Sequence, residues 1–491
     1  MAFFAILTMV MVITSYLFVL LLAAACVVAP CWLLMVAGTA NLQIALLLLF
    51  GIAVAGAILW SLVPRFETFK APGLLLNRAE QPRLFAEIDR IASALQEPVP
   101  QEVYLIGDVN AWVAHRGGFM GFGSRRIMGL GLPLLSVLTV SQLRAVLAHE
   151  FAHYYGGDTS LGPWVYRAQT TIARSFRNVG ALGHLTHFIV MRMMYEVVTT
   201  LMRWHFMIFL RAIHGSSRMR EYRADELACL IAGRQALVGG LRAINGAAPA
   251  WEAFWKTELS PVLSDGFCPG ILEGFARFVS VPGISEQIRN NLETQIREEK
   301  TNPYATHPPL RKRIAALERI SVDPVPDDSA PARDLLAHAE SVEVRFLERA
   351  NPAMKPGALT SIPWKDVASK VVVPRWRKAA AAHASLLEGF SPQSLPDRIA
   401  RSAPTETALR DSDGKPFDPA QRNTAQIFGV GLALFLIDQG WIPEVGPGEF
   451  HLHHGPHRLN PFLAVHELMT GRMSAPAWQE RCRTWEATGQ G

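Results

Sequence analysis

Cysteine is scarce in this chain. The five present, Cys26, Cys31, Cys229, Cys268 and Cys482, are odd in number, scattered and without a Cys-x-x-Cys pair. This excludes a disulfide framework and a thiolate zinc site, and it fits a reducing compartment. Charge is scarce too: Asp, Glu, Lys and Arg make up 18% of the residues, and the net charge of +5 is not gathered into a Lys/Arg run. No nucleic-acid partner is expected. What the chain has instead is apolar residues, 50% of the total, and a positive mean hydropathy. Both lean toward a membrane-embedded segment, with a membrane surface as neighbour. The length leaves room for about three domains.

From Phe3 to Val36 the sequence is almost wholly apolar. After Gly38-Thr39-Ala40-Asn41 it is apolar again from Leu42 to Val63. Each run exceeds the roughly 20 residues that span hydrocarbon, so a hairpin of two transmembrane helices is expected over 1–64, with lipid as a partner. A cleaved signal peptide is the alternative, disfavoured by the missing basic start and by the length of the run. Arg65, Lys70 and Arg78 follow the second span while the turn carries no charge, which puts the downstream domain in the cytoplasm.

Beyond the hairpin, Leu84, Ile88, Ile91 and Leu95 recur at helical spacing within Gln81 to Leu95. Glu102 to Ile106 reads as a buried strand, Asn110 to Ala114 as an extended segment and Ile127 to Leu132 as another strand. Gly117-Gly118 and Gly121-Phe122-Gly123 read as turn material. The fold class expected is mainly α with a small β-sheet, α+β. Leu185 to Leu210 is apolar-rich but interrupted by Arg192, Glu196, Arg203 and His205; long packed helices are favoured there over a membrane-dipping pair. The Pro- and Asp-rich stretch 322–332 reads as a linker, which divides the chain into a hairpin at 1–64, a domain at 65–321 and a C-terminal domain of unknown role at 333–491. In that last part, Arg333 to Arg349 and Arg422 to Gln439 have helical patterns and Glu449 to His453 is strand-like. His451, His453, His454 and His457 there have metal-compatible spacing, but a polar strand and turn explain them as well.

The segment Thr139 to Asp158 carries the chemistry. Thr139 and Gln142 form a capping box, and Gly156-Gly157 supplies a stop. Between them His149 and His153, four apart on one helical face, aim both imidazoles at one point, and Glu150 can reach a water on a metal held there. Leu143, Val146, Leu147 and Phe151 make this an amphipathic helix, and buried paired histidines want a ligand. Catalytic zinc needs a third protein ligand. Glu221 and Asp225, four apart, offer one: one carboxylate to ligate, the other to accept a proton from a ligand imidazole. Ordinary charge pairing with the neighbouring arginines explains the same spacing.

Taken together, His149-Glu150-Phe-Ala-His153, the Arg-Glu221-Tyr-x-Ala-Asp225 segment, and Thr306-His307-Pro308-Pro309 followed by Arg311 to Ile314 resemble the integral-membrane gluzincin peptidases of the HtpX heat-shock protease and CAAX prenyl protease type. The resemblance runs from about Leu75 to Leu317. It implies a zincin-like core behind the hairpin and a zinc endopeptidase with one Zn2+ per chain, acting on peptide or protein substrates from the bacterial inner membrane. The ligands it implies are His149, His153 and Glu221. It further implies Glu150 as catalytic base, Asp225 orienting a ligand imidazole, His307 assisting the oxyanion, and Asn110-Ala111 as an edge strand that pairs with substrate. The residues alone would give His307 a helix-capping role. The rival class is an idle scaffold binding membrane partners through the same groove. In the family two clear transmembrane helices often separate the first two motifs, where this chain has its charged stretch Leu185 to Leu210.

Overall fold

The computed structural model describes residues 2–38, 42–63, 69–116, 125–155, 162–299, 307–355, 357–402 and 419–488. The glycine turns at 117–118 and 121–123, the Gly156-Gly157 stop, Arg65 and Thr306 lie outside them. The chain is mainly helical with small sheets and forms two compact units, one of residues 1–245 with 291–337, the other of 246–290 with 338–491.

The first unit opens with the expected hairpin, α1 (Ala2–Ala37) and α2 (Leu42–Leu62). Their backbones approach closely: a Cβ at Gly51 would stand 2.1 Å from the carbonyl oxygen of Cys26, so glycine is required there, as at tight helix crossings in lipid. Then come β1 (Leu74–Leu75) and α3 (Pro82–Ala94). Pro82 starts α3 at a position where no N–H is needed, and Leu84, Phe85, Ile88 and Ile91 bury its apolar stripe. Strands β2 (Glu102–Ile106), β3 (Ala111–Arg116) and β4 (Arg125–Gly131) complete a sheet in the order β1-β2-β4-β3. β2 is parallel to β4 and β3 antiparallel to it, which leaves β3 at the edge. Gly129 makes room for its cross-strand neighbour, since a Cβ there would lie 2.3 Å from the Trp112 ring.

After α4 (Leu132–Val137), α5 (Val140–Ala152) begins with the expected capping box, Thr139 and Gln142 exchanging both bonds. Ten of its thirteen residues are buried. The stretch 322–332 is bonded to this helix start: Ala330 and Asp328 carbonyls accept from Val140 and Ser141, and Asp328 N donates to Ser141 Oγ.

Helix α6 (Gly162–Gly180) is followed by α7 (Ile189–Ala232), 44 residues long and closed by Gly233 at φ 89°. Residues 189–210 of the charged stretch thus form one end of a helix whose other end holds Glu221. Asn178 of α6 donates to Ala57 O and Ser61 Oγ of α2. Met191, Val198 and Met202 of α7 share a core with Ala23, Cys26, Phe50, Val54 and Ile58 of the hairpin. A Cβ at Gly51, next to the middle of α2, would be 3.2 Å from Met194 Cε, while His205 Nε2 lies 3.0 Å from Ser15 Oγ and its ring stacks on Phe18. From Met194 to His205 is about 16 Å along the helix, roughly half a hydrocarbon thickness.

Helix α8 (Arg234–Phe254) follows, then α9 (Ser260–Ser264), β5 (Phe267–Pro269), α10 (Ile271–Ser280), α11 (Pro282–Glu298) and α12 (Leu310–Leu317). In the second unit α13 (Ala339–Ala350) supplies Glu343 to the start of α10, and β6 (Thr360–Ile362) pairs with β5. Helix Pro419–Asp438 and an antiparallel sheet of β7 (Ile442–Gly446), β8 (Glu449–His454) and β9 (His457–Leu459) follow.

Candidate metal centre

Three helices of the first unit converge on one polar knot. The last turn of α5 brings His149, Glu150 and His153, which a 3.6-residue repeat places on one face. Glu221 and Asp225 come from α7, one turn apart, and Arg313 comes from α12. His149, Glu221, Asp225 and Arg313 are all buried, His153 is partly so and His307 is exposed.

Ligand atoms of His149, His153 and Glu221 lie within 4.8 Å of one another, the one such His, Cys, Asp or Glu group among the described residues that can hold a metal ion. The histidine cluster at 451–457 does not assemble one. His149 Nε2 is 3.5 Å from Glu221 Oε2, and His153 Nε2 is 3.6 Å from Oε1. His149 Nδ1, the ring's other nitrogen, is 3.0 Å from Asp225 Oδ1, which fixes the ring and leaves Nε2 for a ligand. The two imidazoles meet edge to face at 4.8 Å between centroids.

Electrostatics suit a cation. Burial opposes ionisation of Glu221, but His149, His307 and His153 around it outweigh that and hold its carboxyl well below the usual range. Burial, then the charge of His149, pulls His153 down to about 3, so its ring is neutral with a lone pair to give. For His149 burial acts downward, but the neighbouring carboxylates of Asp225 and Glu221 win and raise it to about 9, so a metal bound at its Nε2 would displace a proton. His307 Nδ1 comes within 2.8 Å of Glu221 Oε2. Among the described residues that buried oxygen accepts no well-aligned hydrogen bond, and a buried carboxylate among imidazoles fits a divalent metal.

Glu150 stands apart from the ligands. It is partly exposed, and burial of its carboxyl raises its pKa to about 7, near where a general base works best. It borders a cavity of about 510 Å3 with His149, His307 and Arg313 on one part of the lining, Asn110 and Ala111 on another, and Val146, Leu237, Leu241 and Ile244 as an apolar wall. α8 reaches this wall because a Cβ on Gly239 would lie 2.7 Å from Gln142 Nε2 of α5. The structure therefore brings His149, Glu150, His153, Glu221, Asp225 and His307 together and sets Asn110 and Ala111 across the same cavity. His307 does not cap the helix behind it: Pro309 holds the cap position of α12, and Glu299 accepts from Leu310 N.

Two contributors were not singled out from the sequence. Arg313 makes a two-pronged bond to Asp225, Nε to Oδ2 at 2.8 Å and Nη2 to Oδ1 at 2.5 Å, and its Nη2 lies 3.5 Å from His149 Nδ1. The only signal was its place in the run that follows His307-Pro308-Pro309. Tyr154 donates from its hydroxyl to Val113 O at 2.6 Å, tying the end of α5 to the edge strand β3; no local pattern marks it.

Residues 78–321 match the model of peptidase family M48. The chain is 25% identical over 283 residues to "Protease HtpX homolog 2" of Methanosarcina mazei, covering 57% of this chain and 85% of that one. It is 26% identical over 194 residues to "Protease HtpX" of Pseudomonas fluorescens, 38% and 55% of the two chains. With "Protease HtpX homolog" of Acidiphilium cryptum it shares 25% over 265 residues, 50% and 76%. No solved structure matches.

Proposed function

The chain belongs to peptidase family M48 and is a zinc metalloendopeptidase, and from that premise we propose how its residues divide the work. His149, His153 and Glu221 hold one zinc ion. The observation that carries this assignment is the convergence of His149, His153 and the buried Glu221, whose ligand atoms lie within 4.8 Å of one another. Zinc bound there supplies a Lewis acid that lowers the pKa of water and polarises the scissile carbonyl.

Glu150 takes the proton from the attacking water and passes it to the leaving nitrogen. Its place beside the ligands and on the border of the cavity suits both duties, since the group must accept and then release a proton there. Asp225 holds His149 by Nδ1 and is itself held by Arg313. His307, exposed at the mouth of the cavity, donates to the developing oxyanion, a contact of about 3 kcal/mol in comparable sites. Among the described residues β3 has no strand on its outer side, so substrate backbone adds at Asn110 and Ala111. The wall of Val146, Leu237, Leu241 and Ile244 then receives an apolar substrate side chain.

Helices α1 and α2 are long and apolar enough to cross a bilayer, and they anchor the peptidase in lipid. Lys70 and Arg78 after the second span favour a cytoplasmic active site in a bacterial inner membrane. The test is zinc content and fluorogenic-peptide cleavage of the detergent-purified chain against Glu150→Gln. Zinc in both, with cleavage at least 10²-fold lower in the variant, is the expected result. Equal cleavage overturns Glu150 as base; zinc with no cleavage by either chain favours a scaffold.

A further inference from the structure

The first five turns of α7 present three faces. One is buried against the hairpin through Met191, Val198 and Met202. A second, Met193, Val197, Leu201, Trp204 and Ile208, is exposed and apolar, as a lipid-facing surface must be. The third is exposed and polar: Arg192, Glu196, Thr200 and Arg203, whose spacing of four, four and three makes them a single stripe. Among the described residues the side chains of Arg192, Glu196 and Arg203 make no hydrogen bond or ion pair.

Depth makes this stripe informative. Met194 touches the position of Gly51, next to the middle of the 21-residue α2. Arg192 and Glu196 flank Met194 by two residues, about 3 Å along the axis, so both lie near the level of the bilayer centre. The nearest headgroups are then about 15 Å away, beyond the reach of a glutamate. Arg203 lies close to the level of His205 and Ser15, where a long side chain reaches water. Charged groups at mid-membrane depth face a protein partner or a hydrated cavity and pair with one another, and among the described residues no other element of this chain meets these side chains.

We propose that the stripe Arg192, Glu196, Thr200, Arg203 is the contact face for α7 of a second copy of this chain. Two copies inserted in the same sense bring their α7 helices together in parallel about a two-fold axis along the membrane normal. Residues four apart then pair across the axis: Arg192 of each copy meets Glu196 of the other, and the symmetry forms the ion pair twice. Thr200, small and polar, lies one turn on, where two helices can approach and share hydroxyl bonds. The stripe is thus self-complementary in charge. The proposal rests on the reading that α1 and α2 span the membrane.

The test uses the full chain in its membranes. Thr200→Cys is expected to give a covalent dimer on mild oxidation, while Leu201→Cys on the apolar face and the unaltered chain, with its five cysteines, do not. Glu196→Arg added to Thr200→Cys should cut that dimer at least tenfold, and exchanging the charges in Arg192→Glu/Glu196→Arg should restore it. Equal cross-linking at 200 and 201, no dimer at 200, indifference to Glu196→Arg, or an adduct with a different protein would overturn the pairing. Carbonate extraction of the same membranes separates the failures. A chain that washes off refutes the anchoring, and one that stays without cross-linking refutes only the dimer.

Discussion

Glu221 in the first unit and Glu343 in the second are equally buried, each 3% exposed, yet they are satisfied in opposite ways. Glu343 spends both oxygens on backbone donors, Oε2 on Ile271 N at 2.9 Å and Oε1 on Leu272 N at 2.8 Å, and so caps α10, whose own cap residue Gly270 has no side chain to offer. Glu221 is ringed by side chains instead, with His149, His153, His307 and Arg313 all within 4 Å, and among the described residues its Oε2 still accepts no well-aligned hydrogen bond. A carboxylate that closes on backbone N–H groups completes a fold. One left open among imidazoles is waiting for a ligand.

The strongest way to break this contrast is to remove each carboxylate in turn. Glu221→Ala should abolish zinc retention and lower kcat/KM by on the order of 10³-fold or more. The metal-free variant should melt only a little lower than the metal-free parent, by what the surrounding imidazoles give the ionised carboxylate, and the larger loss should appear against the zinc-bound parent. A large drop in metal-free melting temperature would show that Glu221 is structural after all.

Arg313→Met probes the layer behind. It leaves Asp225 buried without its cation, and breaking a buried pair in this way costs about 3–5 kcal/mol. Since Asp225 holds His149 by Nδ1, zinc affinity should also fall, by about 10–100-fold. Denaturant unfolding with a zinc-competition titration reads both. Unchanged zinc affinity would reduce Arg313 to a stability role.

These residues also mark how far the sequence could be read. His149, Glu150 and His153 are local: one helix with a capping box fixes their face, and the structure has both. The hairpin was legible because length and apolarity suffice. Arg313 was not, since its partner Asp225 lies 88 residues away and nothing near either residue reveals the pairing. The stretch 185–210 was expected as long packed helices rather than a membrane-dipping pair; from Ile189 it is helix, with one face buried on the hairpin and the others exposed, and its level beside α2 follows only from the contact of Met194 with Gly51. For His307 the residues alone favoured a helix cap, and the cap proved to need no help from it, because Glu299 takes Leu310 N. Local pattern gives elements and their faces, whereas charge satisfaction across distant segments appears only once they are packed.

The smallest effect expected is at Glu343, and it carries a sign. Burial, opposed by the bonds from Leu272 and Ile271, raises its carboxyl to about 7 in the folded chain, above the ordinary value near 4.3 that it has when unfolded. The folded state therefore binds the extra proton between those values. The stabilisation this gives is complete below the unfolded pKa and is lost as pH rises through about 7. Glu343→Gln cannot titrate, keeps one acceptor for the two N–H groups and should cost about 1–2 kcal/mol in acid. The melting temperature of the parent minus that of the variant should then shrink from pH 5 to pH 8. Cleavage per bound zinc should stay the same, as it must if Glu343 serves the fold alone. A difference that grows with pH would mean that the two N–H donors hold Glu343 ionised, and that its burial is offset by the helix start it caps.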